Sequence, residues 1–384
     1  MSPAPSRLQV LLRARPGAAS VAGLPCAVRA AYRAGRELAP ERIVIDGADQ
    51  SFLDRWSFQF RAAGAPVVSG GPGALALEAG LRLLVVDADA FPDAEGLADF
   101  VAAAEPLERA RRELNGRAVA VYARDAAEFG AGTESPGDVH DRALRATAPT
   151  LDAGIFFDAR TPVHAAAAAS ALYARMGKPN DGYLARFDRP LSVSITRLLL
   201  PFPITPNQVT AASLLLSFLG AWLLASGSMR TQFEGAVLLW FCAILDGCDG
   251  EIARLKHHIT DWGGDFDLMA DHLAHLVTFI ALPIGVSRLH PDQDWWLPGL
   301  LLVSGFIAAG FSVWRLVLRV PEKERGSAAL VVERVASRDY IYLIAALTAI
   351  GRLDWFVWAA AVGSHVFWAW LCWTARRRPA PAYE

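Results

Sequence analysis

The stretch Asp246–Asp271 reads D-G-C-D-G-E-I-A-R-L-K-H-H-I-T-D-W-G-G-D-F-D-L-M-A-D. Four of its acids, Asp246, Asp249, Asp267 and Asp271, fall in two apolar segments with the character of membrane helices. Carboxylates at membrane depth are costly and mark functional positions. The spacings of three and four residues put each pair on one face of a helix. Two such pairs on adjoining helices form an oxygen-rich cage of the kind that Mg²⁺ or Mn²⁺ prefers. A network of buried ion pairs is the structural alternative, and these helices hold too few cations to neutralise four acids.

Working outward, residues 205–378 divide into six expected spans: Asn207–Leu224, Phe233–Leu255, Gly264–Ser287, Trp296–Leu318, Tyr340–Ile350 and Trp355–Thr374. The fifth is short for a full crossing. With the N-terminus inside, the cytosolic loops hold Arg254, Lys256, Arg315, Arg319, Lys323, Arg325, Arg334, Arg338 and Arg376–Arg378, against Arg230, Arg288 and Arg352 outside. That asymmetry satisfies the positive-inside rule and puts the four acids at the cytosolic mouth of a multi-pass inner-membrane protein. Residues 178–204 mix Arg186, Arg189 and Arg197 with Leu, Val, Ile and Phe, as expected of a helix lying on the cytosolic membrane surface. Residues 379–384 form a tail.

Composition divides the chain the same way. Its 384 residues are 53% hydrophobic, with a formal net charge of −2, and the apolar runs concentrate after residue 200. No nucleic-acid partner is expected. Four cysteines without CxxC pairing read as small core residues. The N-terminus lacks a signal-peptide pattern, so the first 177 residues are expected to stay in the cytosol.

Those residues alternate strands and helices. Strands are expected at Leu8–Leu12, Arg42–Asp46, Pro66–Ser69, Leu81–Val86, Arg117–Arg124 and Ala153–Phe157. Helices are expected at Leu24–Arg36, Asp54–Ala63, Asp93–Ala104 (with Asp93 as a plausible N-cap) and Thr161–Arg175. This order implies a mostly parallel α/β sheet covered on both faces. The turn-rich Gly130–Asp141 reads as a surface loop. The segments GLPCAVRAAYRAG, ERIVIDG and VVDADAF resemble the nucleotidyltransferase fold, which places a metal-binding Asp where Asp87 and Asp89 stand. The family's Gly-rich loop is replaced by RARPGAASVAG, and no lysine precedes Lys178. The domain therefore reads as degenerate.

The pattern D-x-x-D-G-x-x-A-R-x₈-G-x-x-x-D-x-x-x-D, on Asp246, Asp249, Gly250, Ala253, Arg254, Gly263, Asp267 and Asp271, resembles the signature of the CDP-alcohol phosphotransferases without a departure. The resemblance implies six membrane helices, a homodimer among membrane lipids, and transfer of a substituted phosphoryl group from a CDP-linked alcohol to a hydroxyl acceptor with release of CMP. It implies two ions, Mg²⁺ or Mn²⁺, on Asp246, Asp249 and Asp267, with Asp271 as general base and possible fourth ligand. Gly250, Ala253, Arg254 and Gly263 would meet the CDP moiety, beside Asn207 and Thr210 at the start of the first span. The stretch KPNDGYLARFDRPLSVSITRLL followed by TPNQVT resembles the members that use inositol phosphate, some of which carry an N-terminal nucleotidyltransferase domain. Arg197, Arg319, Arg334 and Arg338 are the candidate acceptor-phosphate residues. Two alternatives stand beside this reading: a bifunctional enzyme whose first domain makes the CDP-polyol donor, and a non-catalytic membrane module.

Overall fold

The computed structural model describes residues 7–14, 20–71, 73–87, 89–130, 133–176, 185–315 and 339–376. The chain forms two compact units. One comprises Met1–Arg175 with Ala253–His258, the other Met176–Ile252 with Ile259–Glu384.

The first unit opens with β1 (Leu8–Arg13), β2 (Ser20–Val21), β3 (Leu24–Pro25), α1 (Cys26–Leu38), β4 (Arg42–Asp46), α2 (Gln50–Arg55), α3 (Ser57–Ala63) and β5 (Val67–Ser69). It continues with β6 (Arg82–Val86), β7 (Ala90–Pro92), α4 (Gly96–Ala104), β8 (Arg109–Leu114), β9 (Arg117–Ala123), α5 (Pro136–Arg145), β10 (Phe156–Asp158) and α6 (Pro162–Ala174). The main sheet has six strands in the order β5-β4-β1-β6-β9-β8. β1 pairs in parallel with β4 and β6, and β4 with β5, whereas β9 runs antiparallel to β6 and β8.

The central residues of β1, β4, β6 and β9 are apolar because both faces are covered. Val10, Leu12, Ile43, Ile45, Leu84 and Val86 face a core built with α1, α3 and α4. Their neighbours Leu11, Val44, Leu83 and Val85 face a second core with Val139 and Ala143 of α5. This alternation is the two-residue period of a strand, read on both sides.

The sheet is mixed, with three parallel pairings and an antiparallel edge at β9 and β8. Four expectations need correction here. The strand expected at Ala153–Phe157 is β10, and it pairs antiparallel with β7 outside the main sheet. The helix expected over Asp54–Ala63 is two helices, separated at Trp56, with Asp49 capping the first by accepting from Phe52 N at 2.8 Å. Asp93 precedes the actual N-cap of α4, Glu95. The stretch read as a loop at Gly130–Asp141 contains the start of α5. Pro136 opens that helix, where a missing N–H costs nothing, and Val139, His140 and Ala143 bury its inner face.

The first unit also takes in the segment Ala253–His258. The His257 ring stacks on Tyr32 at 4.1 Å and the His258 ring on Phe58 at 3.9 Å. Gln59 Nε2 donates to the Lys256 carbonyl at 3.0 Å. His257 holds a left-handed backbone (φ 49°), unusual for a residue with a side chain.

The second unit is helical: α7 (Ala185–Leu199), α8 (Pro206–Leu224), α9 (Met229–Leu255), α10 (Asp261–Leu289), α11 (Trp296–Val313), α12 (Tyr340–Ala349) and α13 (Leu353–Arg376). Among the described residues, four helices are long and apolar enough to cross a membrane: α8, α10, α11 and α13. The expected count of six is thus not met on length and apolarity. α9 has the length, at 27 residues, but carries Glu234, Asp246, Asp249, Glu251 and Arg254. α12 has ten residues, about 15 Å of helix, half a bilayer core.

The unit's core gathers Leu224, Leu239, Leu282, Val286, Leu302 and Phe356 from five helices. Leu215, Trp222, Trp296, Ile307 and Val366 point outward and are exposed. α8 and α9 cross closely at two glycines. A Cβ on Gly235 would fall 2.6 Å from the Gly220 carbonyl oxygen and 2.7 Å from Leu224 N. Only a residue without a side chain allows that approach.

Candidate active site

The acids lie where α9 ends and α10 begins. Carboxylate oxygens of Asp246, Asp267 and Asp271 all lie within 4.8 Å of one another, and each residue is half-buried. Helix geometry explains the grouping. Asp267 and Asp271 are four residues apart, about 40° around the helix, so both face Asp246. Asp249 follows Asp246 by three residues, about 60° the other way, and turns toward α8. There it is 5% exposed, and its Oδ2 accepts from Thr210 Oγ1 at 2.5 Å. The tight group therefore holds three of the four acids, and Asp249 stands beside it, fixed by Thr210.

Three carboxylates from two helices, half-buried and converging on one point, supply oxygen donors alone. That set suits a hard divalent cation.

Gly250 follows Asp249 on α9, and Ala253 and Arg254 occupy its last turn. Gly263 lies in the first turn of α10, which begins at Asp261, before the Gly264 expected to open that span. Thr260 is its N-cap and accepts from Gly263 N at 2.9 Å. Gly263 is needed for space. A Cβ there would lie 2.7 Å from Thr260 Oγ1 and 3.1 Å from Asn207 Oδ1. The structure thus brings Asn207 to Gly263 and Thr210 to Asp249, two pairings across α8 that spacing along the chain does not contain.

Below the acids a cavity runs between α8, α9, α10 and α12. Thr210, Ser213, Ser217, Asp246, Asp271 and His275 line it. Ser213 Oγ donates to the Cys242 carbonyl at 3.0 Å and Ser217 Oγ to the Ser213 carbonyl at 2.9 Å. His275 sits among Phe279, Phe306 and Tyr340, its ring 5.5 Å from that of Tyr340. His272 Nδ1 lies 2.7 Å from the Leu268 carbonyl, and Asp261 and Asp265 are exposed.

Arg197 lies exposed in the last turn of α7. Arg319, Arg334 and Arg338 lie outside the described residues. In the first unit, Asp87 follows β6 with a fully buried side chain. Arg117 Nη2 is 3.4 Å away, and among the described residues neither carboxylate oxygen accepts a hydrogen bond.

Sequence reading missed Glu251, fully buried within the motif, and the α7 residues that hold it. It also missed Thr260. The first carried one signal, an acid between two fixed positions. The second stood three residues before Gly263, as an N-cap does.

Residues 203–370 match the CDP-alcohol phosphatidyltransferase family. The chain is similar to the bifunctional IPC transferase and DIPP synthase of Rubrobacter xylanophilus, 34% identical over 161 residues, covering 41% of this chain and 35% of that one. It is similar to the protein of the same name from Archaeoglobus fulgidus, 27% identical over 182 residues, covering 46% and 35%. The chain thus spans about a third of the length of the curated relatives it matches. Among solved structures, Mycobacterium tuberculosis phosphatidylinositol phosphate synthase in complex with manganese and citrate is 20% identical. It covers 50% of this chain and 92% of its own, with a TM-score of 0.37.

Proposed function

We propose, from a CDP-alcohol phosphatidyltransferase domain over residues 203–370, that this chain is an integral-membrane transferase. It moves a substituted phosphoryl group from a CDP-linked alcohol to a hydroxyl of an alcohol acceptor, an inositol phosphate or another polyol phosphate. The observation that carries the reading is the convergence of Asp246, Asp267 and Asp271 within 4.8 Å, inside an intact eight-position motif.

Divalent ions bound by these acids and Asp249 would neutralise the pyrophosphate and leave its phosphorus open to attack. The chain's own groups do the rest. Asp271, on the same cluster, takes the acceptor's hydroxyl proton. The acceptor oxygen bonds to the phosphorus that carries the donor alcohol, the bond from that phosphorus to the bridging oxygen breaks, and CMP leaves. Thr210 holds the Asp249 carboxylate in place. Gly263 keeps the space beside Asn207 open for the nucleotide, and Arg254 pairs with a phosphate oxygen or the cytosine carbonyl. Arg197, with Arg319, Arg334 and Arg338, supplies positive charge for an acceptor phosphate.

Four apolar helices and the exposed Leu215, Trp222, Ile307 and Val366 support membrane embedding. The distribution of Lys and Arg supports a cytosolic site, and the family resemblance supports a homodimer. The relatives' double name favours a second reading, in which residues 1–177 make a CDP-polyol donor. The absence of lysine before Lys178 argues against it.

The test uses the purified full chain in lipid nanodiscs. CDP-diacylglycerol and a soluble CDP-polyol are offered in turn, with inositol phosphate and Mg²⁺ or Mn²⁺, and CMP is measured. Acceptor-dependent CMP release is expected with one donor. No release in any pairing refutes the transferase reading. Pyrophosphate release from CTP and a polyol phosphate would establish the second reading.

A further inference from the structure

Glu251 lies inside the motif, and the transfer reading gives it no role. Its side chain is fully buried. Its Oε1 accepts from Ser192 Oγ at 2.7 Å and from Arg189 Nη1 at 2.9 Å, and its Oε2 accepts from Thr196 Oγ1 at 2.7 Å. Arg189, Ser192 and Thr196 are three and four residues apart and form one stripe of α7. Glu251 is two residues past Asp249 and five past Asp246. It therefore leaves α9 well round from the carboxylates.

α7 is amphipathic in the reverse of the usual sense. Its polar stripe is turned inward: Ser192 is 3% exposed and Thr196 fully buried, and Cys248 Sγ and Trp240 Nε1 donate to the Ser192 carbonyl and Asp188 Oδ1. Its outward positions include Phe187 at 73% exposure, Leu191 at 45% and Leu198 at 69%. A helix with polar groups against protein and large apolar groups outward has its free face matched to lipid.

We infer that Glu251 is a positioning residue: it fastens the lipid-facing helix α7 to the turn of α9 that presents Asp246 and Asp249, so the seat of α7 fixes the geometry of the acidic cluster. A carboxylate suits this task. It is short, fully enclosed, and takes three donors from one helix face, so α7 cannot slide along α9 without breaking charge-assisted bonds. The effect reaches the metal ligands through one turn of helix backbone, as supporting residues around a metal site do.

The inference rests on the proposed metal-dependent reading, and the experiment separates the two. Glu251→Gln and the double variant Ser192→Ala/Thr196→Val are prepared as full chains in nanodiscs, with Glu234→Gln, exposed on the same helix, as control. Mn²⁺ binding is titrated by electron paramagnetic resonance, and kcat and KM for the CDP-linked donor are measured in parallel. Both test variants are expected to weaken Mn²⁺ binding about tenfold and to lower kcat by a similar factor. The donor KM should stay within about twofold, and the control should match the wild type. If Glu251→Gln does not fold, the double variant decides, because it keeps the charge and removes two neutral donors. Wild-type Mn²⁺ affinity in the folded variants overturns the inference. A wild type that binds Mn²⁺ but transfers nothing overturns the transferase reading and leaves this one standing.

Discussion

Thr210 Oγ1 donates to Asp249 Oδ2 at 2.5 Å, joining the first turns of α8 to the acidic turn of α9 in a buried setting. A hydrogen bond to a buried charge is worth about 1.5–3 kcal/mol. Thr210→Val keeps the shape and removes the donor. Transfer activity and Mn²⁺ affinity should each fall about ten- to a hundredfold, with the protein still folded. Thr210→Ser should retain most of both. Equal loss in the two variants would mean that the methyl group, not the hydroxyl, is what matters.

Asp271 is the proton acceptor in the proposed transfer. Asp271→Asn keeps an oxygen ligand but removes the basic group. The rate of transfer should drop about 10²–10⁴-fold, the usual contribution of a positioned general base. Single-turnover CMP release at saturating metal measures this. A rate within a few-fold of wild type would strip Asp271 of that role.

Gly220 and Gly235 let α8 and α9 cross in close contact. Gly235→Ala puts a methyl group against the Gly220 carbonyl and the Leu224 amide. Overpacking of this kind costs about 1–3 kcal/mol. The apparent melting temperature in micelles should fall. Gly310→Ala, where no atom lies within 4 Å of the added carbon, should leave it unchanged.

Acid should weaken the first unit. Burial, and then the nearby charges of Arg29 and Arg33, hold the His257 imidazole down to about pH 2, and burial also lowers His140. His257 is therefore neutral in the folded protein, while in the unfolded chain it takes up a proton below about 6.5. Stability is therefore full above about pH 6.5 and declines as the pH falls below it, since the unfolded state binds more protons. Thermal melts from pH 7.5 to 5.5 should show this decline, and His257→Gln should reduce its slope. A melt that is flat over that range in the wild type contradicts the assignment.

Much of the architecture was legible where burial on both faces forces an unbroken apolar run, as in RIVID and RLLVV. It was not legible where tertiary context overrides composition. β8 reads RARREL, too charged to look like a strand, and forms because an edge strand keeps one side in water, where Arg111 meets Glu113. α5 was hidden by its opening Ser-Pro-Gly, which marks a turn as readily as a helix start. At the site, the acids and their helical spacing were plain. The supports were not. Thr210 and Asp249 are 39 residues apart, and Glu251 and Thr196 are 55 apart. No local period connects them, although Arg189, Ser192 and Thr196 already share a helical face in the sequence.

α10 is 29 residues long, about 44 Å at 1.5 Å per residue, against a hydrocarbon core of about 30 Å. About twenty residues suffice to cross that core. Counted back from Leu289, where Arg288 Nη1 is tied to the Ala225 carbonyl, they end near Ala270. In the proposed membrane setting Asp267 would stand a turn beyond the acyl chains, with Asp271 at their edge. The helix would then act as a ruler that suspends the carboxylates at headgroup depth, where a water-borne nucleotide and a laterally diffusing donor could meet without either leaving its own phase. A thicker bilayer would draw Asp271 and then Asp267 into hydrocarbon, so membrane thickness becomes a variable of the chemistry.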